Sequence, residues 1–106
     1  MSKIQLRSRE GISFDIDLES TKISKVLTKM INKNSYGLRV SSSSSNLFQV
    51  IQFMINYNKC KDNDKELENF RKQFLEEQID NKQNIIKLAF ELEIDELVEI
   101  FNDNLK

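Results

Sequence analysis

The stretch "NLFQVIQFMINYNK", residues 46–59, constrains this chain more than any other. Its periodicity is helical, yet Leu47, Phe48, Val50, Ile51, Phe53, Met54, Ile55 and Tyr57 put apolar side chains nearly all round. Only Gln49, Gln52 and Asn56 form a thin polar seam, at spacings of three and four. A helix that is apolar on every side has to be surrounded by other elements. The fold must therefore be built around residues 46–59, with everything else wrapped on them.

The remaining segments supply the wrapping. Residues 3–18 alternate, with Ile4 and Leu6 pointing one way and Ile12, Phe14, Ile16 and Leu18 repeating every second position. Between the two runs "SREG" reads as a turn, in which Gly11 supplies a backbone conformation other residues avoid. This predicts a hairpin with one buried face. The stretch "STKISKVLTKMINKN" then shifts to helical spacing, with Ile23, Val26, Leu27, Met30 and Ile31 on one face. Residues 37–40, Gly-Leu-Arg-Val, form a brief third strand. The serines at 41–45 read either as a flexible low-complexity linker or as a loop whose last serine caps the next helix. The periodicity that begins immediately afterwards favours the cap.

After the central helix comes a charged loop, "KCKDNDK", and a helix over 64–77 with Leu67, Phe70 and Phe74 aligned. Asp80 and Gln83 stand at capping-box spacing before "NIIKLAFELEI", residues 84–94. There Ile85, Leu88, Ala89 and Leu92 make a core-facing stripe, while Ile86 and Phe90 lie on a different face. Asp95 and Glu96 open a last helix, where their charge suits the positive helix end. Its stripe is Leu97, Val98, Phe101 and Leu105, with Ile100 off the line. The order of hairpin, helix, short strand and helical run predicts a single α+β domain spanning residues 1–106, a small three-stranded sheet with helices packed on it.

Composition narrows function chiefly by what it lacks. The chain has no histidine, so the usual general base and the commonest transition-metal ligand are both missing. One cysteine, Cys60, has no intrachain partner, and two glycines cannot make a glycine-rich phosphate loop. An enzyme is not expected, and neither a cofactor nor a metal is implied. The formal net charge of −1 lacks the basic excess of a nucleic-acid surface. No run reaches the length of a membrane span, and the start Met1-Ser2-Lys3 begins no signal peptide, which with the single cysteine points to the cytoplasm or nucleus. The acid-rich stretches "LESTK", "KDNDKELE" and "LEIDELVE" match no calcium-loop spacing and read as solvated charge. Ile86, Phe90 and Ile100, with Leu105, exceed what one stripe per helix requires. Two adjacent helices with surplus apolar residues point to a protein–protein interface; a more enclosed core is the alternative.

Taken in order, these pieces resemble the Skp adaptor family. "IQLRSREGISFDID" is similar to the family's opening, with Ile4, Leu6, Ser8, Gly11, Phe14 and Asp17 at the matching positions. "VLTKMI" resembles the following helix, "LFQVIQFMINYNKC" the central one, and "FRKQFLE" the segment around Phe70, Phe74 and Leu75. "IIKLAFELEIDELVEIFNDNL" resembles the alanine-bearing helix, the leucine-x-isoleucine step and the final helix. The resemblance covers nearly the whole chain, and it is carried by the ordered set rather than by one motif. It implies a BTB/POZ fold and a non-catalytic adaptor of an SCF-type ubiquitin ligase, bridging a cullin and an F-box or related substrate receptor. Elongin C is the nearest cousin, and the sequence beyond the leucine-x-isoleucine step favours the Skp branch.

On that resemblance Phe90 and Glu91 occupy the cullin side, and Leu97, Val98, Ile100, Phe101 and Leu105 the receptor-side helix, where some of them must also be core. Three departures go with it. Phe90-Glu91 replaces an asparagine-tyrosine pair, Val40 and the serines replace a leucine-proline region, and two further helices that clasp the F-box are not found before Lys106. These departures imply altered contacts on both sides. They favour, as the alternative, a divergent BTB/POZ scaffold that homodimerises or sequesters a partner without building a ligase.

Overall fold

The computed structural model describes residues 3–104; Leu105, read as part of the receptor side, lies outside them. Strands β1 (Lys3–Arg7) and β2 (Ser13–Asp17) pair antiparallel, with Leu6 opposite Phe14 and Ile4 opposite Ile16. Helix α1 (Lys25–Asn32) carries the chain over to β3 (Gly37–Arg39), which pairs parallel to β1, so the sheet order is β2-β1-β3. Four helices follow: α2 (Ser44–Cys60), α3 (Asp64–Gln78), α4 (Lys82–Leu92) and α5 (Asp95–Asn104). The fold is α+β, as the order of periodicities predicts.

The hairpin turns where glycine allows it. Gly11 has φ +89°, and the Ser8 amide donates to the Ile12 carbonyl at 2.9 Å while the Ser8 hydroxyl accepts from the Ile12 amide at 3.1 Å. This closure makes Ile12 part of the turn rather than of β2, so it is 49% exposed instead of lying on the buried face. Phe14 is half-buried, and its ring lies 6.2 Å from that of Phe48. The predicted first helix breaks in two at Ser24. A 3₁₀ turn (Ser20–Ile23) precedes it, and the extended backbone of Ser24 lets its hydroxyl accept from the Leu27 amide as the N-cap of α1.

Helix α2 is the centre of the domain, packed by α3, α4, β2 and the 3₁₀ turn before α1. Leu47, Val50, Ile51, Phe53 and Met54 are buried, and Phe53 stacks with Tyr57, Phe70 and Phe74 at centroid distances of 6.0, 5.3 and 4.9 Å. Phe48 is the exception, at 44% exposure. The polar seam is used rather than solvated. Gln49 accepts from Gln78 at 3.0 Å, and Asn46, one turn earlier, accepts from Asn81 at 2.7 Å. Two buried or half-buried amide pairs thus fix the sliding register of α2 against the end of α3, a job apolar contacts do poorly because they lack direction.

Two cap assignments need correction. The serine that caps α2 is Ser43, whose extended backbone (φ −66°, ψ 160°) places its hydroxyl to accept from the Asn46 amide; Ser44 and the last serine, Ser45, are already helical. The Asp80–Gln83 capping box does not form. A 3₁₀ turn (Ile79–Asn81) joins α3 to α4 without any extended residue, so no cap position of the required geometry exists at Asp80. Among the described residues no helix is long and apolar enough to cross a membrane.

Candidate partner-binding site

Helix α4 separates its two faces cleanly. Ile85, Leu88, Ala89 and Leu92 are all fully buried, as the stripe predicts, and Ile86 is half-buried against the core. Phe90, by contrast, is 63% exposed, the largest exposure of any big apolar side chain among the described residues. The helix ends two residues later, at Leu92. Glu93 takes a left-handed conformation (φ 54°, ψ 56°), and Ile94, fully buried, returns its amide to the Ala89 carbonyl at 2.9 Å. This closes α4 by the left-handed route usually given to glycine and turns the chain sharply into α5. Phe90 sits on the shoulder of that turn.

The turn is held from behind by α1. The buried Ser24 hydroxyl donates to the Leu92 carbonyl at 2.6 Å, and the Lys25 amide donates to the Glu93 carbonyl at 3.2 Å. Outside, Lys25 Nζ lies 2.7 Å from the Asp95 carboxylate, a pair that raises the Lys25 pKa chiefly through that hydrogen bond. Both side chains are largely exposed, so the pair adds orientation more than stability. Beside Phe90, the Glu91 carboxylate accepts from the Ser41 amide at 3.1 Å and from the Ser41 hydroxyl at 2.9 Å. The serine loop is thus anchored to the end of α4 and is no flexible linker. At its other end Glu10 accepts from the Ser44 amide at 2.9 Å. The Glu10 carboxyl is held below its ordinary range, first by its own backbone amide, while partial desolvation opposes this and Ser44 adds to it.

The α5 residues that the resemblance assigns to a receptor are largely core. Leu97 and Phe101 are fully buried, Ile100 is 4% exposed, and Val98 is half-buried. The burial has a simple cause: α5 packs against both α4 and α3, so even the off-line Ile100 finds a neighbour. Fully enclosed side chains have no surface to offer a receptor. Between α3 and α5 runs a shallow groove of about 350 Å³, lined by Ile100 together with Leu67, Leu75, Asp64, Glu68, Arg71 and Lys72. The helical spacing aligns Leu67 with Phe70 and Phe74. The missed signal is that Leu67, Arg71 and Leu75 form their own stripe at four-residue spacing, one face over from the aromatic pair.

The other candidates stay ordinary. Cys60 ends α2, and burial, with Glu66 nearby, pushes its thiol pKa up, away from a reactive thiolate. Glu19 is bound to Lys22 at 3.0 Å in an exposed pair. A second exposed apolar patch, not anticipated, joins Phe48 to the half-buried Phe14. Fold and site together define a small α+β domain whose distinctive surfaces are apolar contacts. No protein-family model matches the chain, and no curated protein matches it.

Proposed function

We propose that this chain is a non-catalytic adaptor of the Skp type, with a BTB/POZ fold, that joins a cullin to an F-box or related receptor. The observation that carries the reading is Phe90: on a helix whose other stripe is wholly buried, one aromatic side chain stands in solvent at the position where the resemblance places the cullin contact. Its support from the fold is the element order, a hairpin, a helix, a short third strand and a run of helices around α2. Binding at such a surface is dominated by a few aromatic or aliphatic anchors. On the receptor side the reading moves from the buried α5 stripe to the α3–α5 groove, where Leu67, Leu75 and the edge of Ile100 give apolar surface and Arg71 and Lys72 give charge.

A second reading has its own observation. Ile12 and Phe48, at 49% and 44% exposure, leave apolar surface at the hairpin end that the adaptor role does not use. A scaffold that homodimerises through this end, or sequesters one partner, would cover it. Co-purification of the tagged full chain from cells separates the two. Recovery of both a cullin and an F-box protein is the result expected of the adaptor. Self-association alone, seen as a dimer mass by light scattering, would replace it with the scaffold.

A further inference from the structure

Two departures from the resembled family, the serine run and the Phe90-Glu91 pair, lie fifty residues apart in sequence and touch in the fold. Both oxygens of the Glu91 carboxylate are taken by one residue, Ser41, through its amide at 3.1 Å and its hydroxyl at 2.9 Å. The loop that carries Ser41 is itself tied down, because the Arg9 amide donates to the Ser42 carbonyl at 2.9 Å and Ser44 donates to Glu10. Glu91 is therefore clamped to a fixed support next to the exposed Phe90.

We infer that Ser41 is a positioning residue for the partner-facing end of α4, and that the partner offers Phe90 an apolar pocket with no cation opposite Glu91. The inference rests on Phe90-Glu91 being the cullin-side contact and adds the chemistry of that contact. A protein surface that covers Phe90 also takes water away from the neighbouring carboxylate. A carboxylate stripped of water is strongly disfavoured unless donors replace it. An ordinary exposed glutamate would obtain them from a lysine or arginine of the partner. Here Ser41 supplies two beforehand, so the carboxylate enters the interface already satisfied and the Phe90 ring is presented from a rigid shoulder. Preorganisation of this kind reduces what ordering costs on binding. Without the Ser41 hydroxyl, Glu91 would be left partly unpaired against a surface that offers it no positive charge.

The test uses the full chain and, as probe, the N-terminal domain of an SCF-type cullin, by titration calorimetry at low and high salt. Ser41→Ala should weaken binding about tenfold, the scale of one hydrogen bond to a charged group at a partly solvated site. Because no partner cation stands opposite Glu91, this loss should be the same at low and high salt; a loss that is recovered at low salt would reveal such a cation and overturn that part of the inference. Ser41→Thr, which keeps the hydroxyl, should bind within about twofold of wild type. In a Glu91→Ala background the Ser41→Ala effect should vanish, since the pair acts as a unit. If the cullin domain binds and Phe90→Ala weakens it while Ser41→Ala binds like wild type, the inference is overturned and the adaptor reading stands. If the wild-type chain does not bind the cullin domain at all, the adaptor reading falls and takes the inference with it.

Discussion

Helices α4 and α5 are adjacent, of similar length and similarly rich in apolar residues, yet they treat their off-stripe side chains in opposite ways. Helix α5 encloses most of its apolar side chains: Leu97 and Phe101 are fully buried, Ile100 nearly so and Val98 half-buried, because the helix packs against both α4 and α3. Helix α4 packs against α1, α2 and α5 and still leaves Phe90 63% exposed. The difference is one of face rather than composition. Ala89 and Leu92 share the last turn of α4 with Phe90 and are fully buried, so packing neighbours reach the end of the helix on one face and not on the face that carries Phe90. An apolar residue is surplus only where no neighbouring element reaches it, and that depends on which face of the helix its neighbours cover.

The comparison is broken most forcefully from the α5 side. Phe101→Ala should destabilise the domain by about 3–5 kcal/mol, the usual cost of emptying a fully enclosed aromatic site. Denaturant unfolding followed by circular dichroism would show this as a large fall in midpoint with little change in slope. A loss below about 1 kcal/mol would mean that α5 is not the core element its burial makes it.

The joint behind the two helices comes next. Ser24 caps α1 and, through the same hydroxyl, satisfies the Leu92 carbonyl at the end of α4. Ser24→Ala removes both and leaves a buried acceptor empty, so a loss of about 1–2 kcal/mol is expected in the same unfolding experiment. Hydrogen exchange should place the loss at both ends, in the first turn of α1 and the last of α4, whereas a simple cap loss would be seen only in α1. A smaller effect of the opposite sign is expected where the chain turns. Glu93 holds a left-handed conformation that costs a residue with a Cβ roughly 1–2 kcal/mol, and glycine would remove this while adding its own entropy cost. Glu93→Gly should therefore stabilise by about 0.5 kcal/mol, read as a small rise in thermal midpoint. A clear fall instead would show that the Glu93 side chain has a role beyond its backbone geometry.

Much of this architecture is legible in the sequence because burial is periodic. The alternation of Ile4, Leu6 and Ile16, the all-round apolarity of residues 46–59 and the Ile85, Leu88, Ala89, Leu92 stripe all predict what the structure contains. The misreadings come where a local signal meets a distant partner. Ile12 continues the alternation but is drawn into the turn by Ser8; Asp80 has the spacing of a cap but sits in a continuous helical turn. Ile100 lies off the α5 stripe yet is buried because α3 comes up beside α5, which no reading of α5 alone can reveal. The same is true of the clamp between Ser41 and Glu91. Hydrogen bonds between segments fifty residues apart leave no periodic trace, so the serines read as a loop and the glutamate as surface charge.

The smallest expected effect on the fold belongs to Phe90, and it tests the central claim most directly. That claim is that the Phe90 shoulder of α4 exists for a partner and not for the core. Phe90→Ala should be measured twice on the same protein, for unfolding stability and for affinity to a cullin N-terminal domain. Stability is expected to stay within about 0.5 kcal/mol of wild type, as for an exposed position, while binding weakens by about 2 kcal/mol or more, on the order of that seen at an aromatic hot spot. If the domain instead loses several kcal/mol of stability, or binds the cullin domain as well without the ring as with it, the Phe90 shoulder does not serve that partner.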